Sequence, residues 1–141
     1  MKNLAIDIGN TIASRGLLFP NSLETIKKLN PIFNNVYIVS RVNSEQRERA
    51  LKWFEDIDFF NKTLIKPKNV YFCFDRRDKA VFCRGLFVDV MIDDRPDVMQ
   101  YLDIQTMKIL FKPNKDLELI DKLFNCFIVS DWLDIATYFG V

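Results

Sequence analysis

Five polar side chains, each close to a short apolar run, have the chemistry to bind a metal ion and a phosphate group. Asp7, Ser40 and the pair Asp93 and Asp94 each follow such a run directly, and Lys79 lies a few residues after another. Carboxylate oxygens are ligands that Mg²⁺ prefers, and the ion takes one or two of them while it keeps several waters. A hydroxyl and an ammonium group instead suit the oxygens of a phosphate. The sequence therefore contains the parts of a magnesium and phosphate site.

The tripeptide Gly9-Asn10-Thr11 follows Asp7 after one residue and is typical of a turn with exposed backbone N–H groups. Such groups bind phosphate oxygens. We therefore expect Gly9, Asn10 and Thr11 to share phosphate binding with Ser40 and Lys79. For Asp7 taken alone a second interpretation stays open, in which its side chain only begins the turn.

Strands and helices must alternate along the chain to position these groups. Six apolar runs predict strands: one that ends near Asp7, and others at 36–39, 70–74, 87–92, 107–111 and 126–129. Residues 13–19 and 63–66 read as minor extended pieces. The helices are predicted to start near Ser22, Ser44, Asp78, Pro96, Asn114 and Ser130.

This alternation predicts an α/β fold with three layers, in which helices cover both faces of a doubly wound, mostly parallel sheet. We expect one domain over residues 1–141. In a parallel sheet the carboxyl ends of the strands share one edge, and ligands bind outside that edge. The polar groups that follow the strands should therefore meet there.

The composition excludes several kinds of chemistry. There is no histidine among the 141 residues, which excludes Ser-His-Asp and Cys-His catalysis and histidine-bound zinc. Cys73, Cys83 and Cys126 match no zinc spacing, so we expect free thiols in a reducing cytoplasm. The net charge of +1 gives no specific nucleic-acid signal, and no apolar run approaches the roughly 20 residues of a membrane span.

In chain order, these segments resemble the four motifs of the haloacid dehalogenase-like (HAD) superfamily of phosphohydrolases. The first motif, a strand followed by D-x-D-x-T or V, is similar to the sequence D-I-G-N-T at 7–11. The second, a strand that ends in Ser or Thr, resembles V-Y-I-V-S at 36–40. The third is a lysine, matched by Lys79, and the fourth is a strand that ends in two acids, matched by V-M-I-D-D at 90–94.

The resemblance implies a Rossmann-like core and a magnesium-dependent phosphatase that acts on a phosphorylated substrate of unknown class. Asp7 would attack phosphorus and form an aspartyl-phosphate. Mg²⁺ would lie between Asp7, the backbone carbonyl of Gly9, and Asp93 or Asp94. By the same resemblance, the hydroxyl of Ser40 and the ammonium group of Lys79 would hold the phosphoryl oxygens.

The chain departs from the family pattern at Gly9. The family's phosphatases usually carry a second Asp there, as general acid and base, and such help is typically worth ~10²–10⁴-fold in rate. Three interpretations stay open: a phosphatase for good leaving groups, an enzyme with its acid elsewhere, or a catalytically inactive phosphate-binding or interaction module.

The same opening segment, A-I-D-I-G-N-T, also resembles the phosphate motif of actin-like sugar and pantothenate kinases. Those kinases need two domains, and this chain has the length of one. The stretches between Thr11 and Ser40, and between Ser40 and Lys79, are also too short for a cap domain, so we expect an open site without one.

Four arginines, Arg41, Arg76, Arg77 and Arg95, neighbour the motifs. Each either extends phosphate recognition or lies on the solvated surface. For Arg95 an ion pair with the two neighbouring acids is a further possibility.

Overall fold

The structure is a computed structural model that describes residues 2–141. Its strands are β1 (Asn3–Ile6), β2 (Ala13–Ser14), β3 (Leu17–Leu18), β4 (Asn35–Arg41), β5 (Val70–Cys73), β6 (Val90–Asp93), β7 (Met107–Phe111) and β8 (Cys126–Val129). Its α-helices are α1 (Ser22–Leu29), α2 (Ser44–Asp56), α3 (Phe59–Thr63), α4 (Asp78–Gly85), α5 (Pro96–Met99), α6 (Leu117–Ile120) and α7 (Trp132–Phe139). Single 3₁₀ turns cover Asn30–Ile32 and Pro67–Asn69.

Six strands form one parallel sheet in the order β5-β4-β1-β6-β7-β8. The chain winds outward from β1 through β4 and β5, then crosses to the other side of β1 and winds outward through β6, β7 and β8. The direction reverses between β1 and β6, and such a switch point opens a crevice at the carboxyl edge of the sheet. The predicted doubly wound parallel sheet is confirmed.

Helices cover both faces of this sheet. Successive side chains of a strand point to opposite faces, so Leu4 and Ile6 pack with α1, α3 and α7, whereas Ala5 packs with α4 and α5. All three side chains are fully buried. Burial on both faces explains why the strands are continuous apolar runs without polar alternation, as predicted.

Only small elements separate the first four strands of the sheet. The antiparallel pair β2 and β3, joined by Arg15 and Gly16, follows β1, and α1 then leads to β4. Between β4 and β5 the chain forms α2 and α3. Within residues 2–141 no cap domain is inserted, and no helix is long and apolar enough to cross a membrane.

Four helix starts were predicted one residue away from their caps. Asn, Ser and Asp cap equally well, so at two of these starts the neighbouring candidates cannot be ranked by type. At the other two, Asn21 and Arg77, the cap residue makes no side-chain hydrogen bond to the helix. Asn43 accepts a hydrogen bond from the N–H of Gln46, and Asp131 accepts one from the N–H of Asp134. The observed cap residues are Asn21, Arg77, Asn43 and Asp131, in place of Ser22, Asp78, Ser44 and Ser130.

Two further predictions were wrong. Residues 63–66 were expected to be extended, but Thr63 ends the helix α3. A helix from Asn114 was expected to bury Phe124, but α6 is a single turn and Phe124 is 69% exposed.

Candidate active site

Asp7 lies directly after β1, at the carboxyl edge of the sheet. Its backbone N–H donates to the carbonyl of Ile92 in β6 (3.0 Å), which fixes it beside the switch point. Its Oδ1 accepts a hydrogen bond from Ser40 Oγ at 3.0 Å and contacts Lys79 Nζ at 3.0 Å. Both contacts fall on Oδ1, so Oδ2 is the oxygen available to a metal or a substrate.

Ser40 and Lys79 reach Asp7 from two different elements. Ser40 lies in β4, which pairs with β1, and its side chain is buried. Lys79 lies in the first turn of α4 and is only 2% exposed. Opposite charge offsets the cost of burying an ammonium group, and Lys79 contacts both Asp7 and Asp93.

The two adjacent acids at the carboxyl end of β6, Asp93 and Asp94, have different surroundings. Asp93 is fully buried: its Oδ2 lies 2.8 Å from Lys79 Nζ, and its Oδ1 accepts a hydrogen bond from the N–H of Arg95 at 3.1 Å. Asp94 is 8% exposed and lines the crevice. Asp93 therefore holds Lys79 in place, whereas Asp94 presents a carboxylate to the crevice.

Burial and charge shift the pKa values in this cluster. Burial, with the nearby charge of Asp7, raises the pKa of Asp93 to about 8 although Lys79 opposes the shift. Burial and then Asp7 also raise the pKa of Asp94. Burial lowers the pKa of Lys79, but Asp7 and Asp93 outweigh it, and the net pKa is raised. Lys79 is therefore charged. The three carboxylates lie close together and repel one another when ionised, and a bound cation would reduce this repulsion.

The predicted phosphate-binding turn is only partly available. Gly9 and Asn10 line the crevice, but the N–H of Asn10 donates to the carbonyl of Ala13 at 2.7 Å. Thr11 is fully buried, and its N–H donates to the carbonyl of Ile8 at 3.2 Å. Its side-chain Oγ1 is buried without a hydrogen-bond partner among the described residues, and the phosphate role predicted for Thr11 stays a prediction. Its carbonyl accepts from the indole of Trp132 at 2.9 Å, which anchors the turn.

The crevice is a pocket of about 370 Å³. Three of the four arginines predicted near the site line it, namely Arg41, Arg76 and Arg95, whereas Arg77 does not. The alternative ion pair of Arg95 with the two acids is wrong, since its guanidinium makes a bidentate pair with Asp97 at 2.8 and 3.0 Å.

Sequence reasoning missed the part of the wall that comes from the start of α2. Val42, Gln46 and Ala50 line the pocket there. Asn43 and Gln46 form a capping box, which fixes this helix start beside the crevice. That N-x-x-Q spacing is a signal from which the helix start could have been predicted.

The acidic cluster fits a hard divalent cation. One carboxylate oxygen from each of Asp7, Asp93 and Asp94 lies within 4.8 Å of the others. Both oxygens of Asp93 already contact donor groups of the protein, which favours Asp7 and Asp94 as the side-chain ligands, and direct binding by Asp93 stays a prediction. Two carboxylates with water in the remaining positions is the coordination that Mg²⁺ favours.

No protein-family model matches this chain. A putative nucleotidase from Oceanobacillus iheyensis is 22% identical over 95 residues, which cover 67% of this chain. The match covers 48% of that relative, so the chain spans about half the length of the curated protein that it resembles.

Solved structures match over most of the chain. The D,D-heptose 1,7-bisphosphate phosphatase from B. bronchiseptica, complexed with magnesium and phosphate, has a TM-score of 0.67 and 13% identity, covering 99% of this chain and 98% of that one. A putative haloacid dehalogenase-like hydrolase from Burkholderia xenovorans LB400 has a TM-score of 0.62 and 12% identity, covering 86% of this chain and 57% of that one. The chain has the haloacid dehalogenase-like fold, and the resemblance predicted from its motifs is confirmed at the level of the fold.

Proposed function

We propose that this protein is a magnesium-dependent phosphohydrolase that cleaves phosphate monoesters through an aspartyl-phosphate on Asp7. The observation that carries the proposal is the geometry around Asp7. Lys79 and Ser40 both hold its Oδ1 at 3.0 Å, so that Oδ2 stays available for attack, and Asp7 lines the crevice. The fold shared with phosphatases supports this assignment.

Asp7 and Asp94 would hold the metal ion, together with the backbone carbonyl of Gly9, which lies on the same wall. A bound divalent cation would neutralise charge on the phosphoryl oxygens and orient the phosphate. The cluster is suited to this because three carboxylates face one ammonium, which leaves two negative charges to balance when all are ionised.

The reaction has two steps. In the first, an oxygen of Asp7 forms a bond to phosphorus while the bond to the leaving oxygen breaks, and the leaving group departs with its electron pair. In the second, water attacks the aspartyl-phosphate, which releases inorganic phosphate and restores the carboxylate. Lys79 and Ser40, on the same side of the site, stabilise the charge on the equatorial oxygens.

The missing acid limits the substrates. Gly9 stands where a proton donor would protonate the leaving oxygen, so esters with good leaving groups should react faster than alkyl esters. The similarity to a putative nucleotidase makes nucleoside monophosphates the first natural esters to test. We also propose a cytoplasmic location, which the three free thiols support.

The test is hydrolysis of 4-nitrophenyl phosphate with and without Mg²⁺, by the native protein and by Asp7→Asn. We expect magnesium-dependent turnover that Asp7→Asn abolishes, and inhibition by fluoroberyllate, which mimics an aspartyl-phosphate. Equal rates for the two proteins would contradict catalysis through Asp7.

A second candidate function, a phosphate-binding module without turnover, is favoured by one observation, the glycine in place of the acid. It predicts that Mg²⁺ and inorganic phosphate bind, in a calorimetric titration, and that Asp7→Asn weakens this binding. It also predicts that 4-nitrophenyl phosphate is left intact, which distinguishes the two functions.

A further inference from the structure

The pocket is larger than a single phosphoryl group requires. Its volume of about 370 Å³ lies within the roughly 300–1,000 Å³ of pockets that hold whole small molecules. Asp7, Ser40 and Lys79 occupy one part of its wall, and Val42 and Ala50 extend it along the start of α2. The part of a substrate that does not react therefore has a defined place to bind.

Arg41 and Arg76 add positive charge to this wall. The Nε of Arg41 donates to the carbonyl of Phe74 at 3.1 Å, which orients the guanidinium and leaves its two terminal nitrogens available. Arg76 is half-buried. Among the ion pairs within 4.0 Å in residues 2–141, none involves either arginine.

The neighbouring arginines are different. Arg95 lines the same pocket, but Asp97 neutralises it through a bidentate pair. Arg77 is exposed, lies outside the pocket lining and is 4.0 Å from Asp75. Two of the three arginines on the pocket wall therefore have no carboxylate within 4.0 Å, although the charge of Arg76 contributes to lowering the pKa of Asp97. Both are available to an anion bound in the pocket.

We propose that the substrate carries a second acidic group, a carboxylate or a phosphate, which Arg41 and Arg76 bind while the reacting phosphate lies at Asp7. A guanidinium offers paired N–H donors that match both groups, and charged hydrogen bonds of this kind are among the strongest in proteins. The inference rests on the proposed function and narrows it to small phosphorylated acids and bisphosphates.

The experiment compares pairs of aryl phosphates that differ only in charge far from the ester. One pair is 4-(carboxymethyl)phenyl and 4-(carbamoylmethyl)phenyl phosphate, and the other is 4-(phosphonomethyl)phenyl and 4-(sulfamoylmethyl)phenyl phosphate. The methylene insulates the leaving group from the substituent. With the native protein and Mg²⁺ we expect kcat/KM to be at least about tenfold higher for the charged member of one pair. The pair with the larger ratio identifies the second group.

Arg41→Gln and Arg76→Gln should each remove most of that ratio, mainly by raising KM for the charged ester. Arg76→Lys should keep part of it, because the charge remains. Arg77→Gln is the matched control: it makes the same change of charge one residue away and should leave the ratio as it is. Thermal unfolding midpoints close to that of the native protein would show that the variants are folded.

Three results would overturn the inference. Equal kcat/KM within both pairs, with hydrolysis still dependent on Asp7, would reject the second group and leave the proposed function standing. If Arg77→Gln lowers the ratio of kcat/KM between charged and neutral esters as much as Arg76→Gln does, the preference would come from a long-range electrostatic effect of the whole surface and not from a binding site. Hydrolysis that Asp7→Asn does not reduce, or no hydrolysis of any ester, would reject the proposed function and the inference with it.

Discussion

The ammonium nitrogen of Lys79 lies 2.8 Å from Oδ2 of Asp93, and the two side chains are only 2% and 0% exposed. Removing one partner of a buried ion pair leaves the other charge without compensation, which typically costs about 3–5 kcal/mol. We therefore expect Lys79→Met to lower the free energy of unfolding by that amount, measured by urea denaturation in EDTA at about pH 9, above the pKa of Asp93, where both groups are charged.

The double variant Lys79→Met/Asp93→Asn is the control for this first prediction. It removes both charges, so its loss of stability should be smaller than the sum of the two single losses. Additive losses would show that the pair is not energetically coupled.

The second prediction concerns pH. The pKa of Asp93 is about 8 in the folded protein, against an ordinary value of 3.8. Between these values the folded state keeps a proton that the unfolded state has lost, so stability falls as pH rises and levels off above about 8. The slope is at most about 1.4 kcal/mol per pH unit.

The measurement is the free energy of unfolding of the metal-free protein between about pH 5 and 9. Asp93→Asn should have a flatter profile, and the difference between the two profiles isolates this carboxyl from the other acids. An equal slope in the variant would contradict the assignment. Saturating Mg²⁺ should also flatten the native profile, because the cation replaces the proton as the source of compensating charge.

The third prediction restores the missing acid. An ideal Cβ on Gly9 meets no atom within 4 Å, so the backbone position accepts a Cβ without a clash. Gly9→Asp should raise kcat for alkyl phosphates by ~10²-fold or more, and far less for 4-nitrophenyl phosphate, whose leaving group needs no proton.

Gly9→Asn has the same shape as Gly9→Asp but cannot transfer a proton, and it should give no gain on alkyl phosphates. An equal gain in both variants would point to positioning rather than to acid catalysis. No gain in either would count against a missing acid as the cause of slow turnover.

The sequence predicts the sheet well because its strands are short apolar runs, and the central ones are buried on both faces. β7 and β8 have the predicted bounds, and Asp7, Ser40 and Lys79 meet as the common carboxyl edge requires. The sequence does not, however, distinguish the role of Asp93 from that of Asp94. Neighbouring residues along a strand point in opposite directions, so one of Asp93 and Asp94 must face inward, and only the packing decides which.

Lys108 illustrates a second limit. A lysine in a central strand contradicts the rule that such positions are apolar, yet it is 2% exposed. Its Nζ donates to the carbonyls of Thr106 and Phe124 at 2.8 Å each, with further bonds to Asp103 and Ile104. Three of these acceptors lie within five residues of Lys108, but Phe124 lies 16 residues away, so the local sequence does not show the complete set.

The last prediction concerns Phe87. It was expected in a strand, but it lies two residues beyond the last residue of α4 and takes part in the turn that terminates this helix. Its φ is 54°, its side chain is 79% exposed, and the N–H of Val88 donates to the carbonyl of Cys83 at 2.8 Å. Together with the hydrogen bond from the N–H of Phe87 to the carbonyl of Arg84 at 3.2 Å, this forms a Schellman motif, whose left-handed position favours glycine.

The left-handed conformation costs an L-residue about 1–2 kcal/mol, which a glycine avoids. Glycine also loses more conformational entropy on folding, and this offsets part of the gain. Phe87→Gly should therefore raise the free energy of unfolding by about 0.5–1 kcal/mol, measured by urea denaturation. Phe87→Ala, which removes the ring but keeps the Cβ, should gain much less, and an equal gain would assign the effect to the exposed ring instead of the backbone.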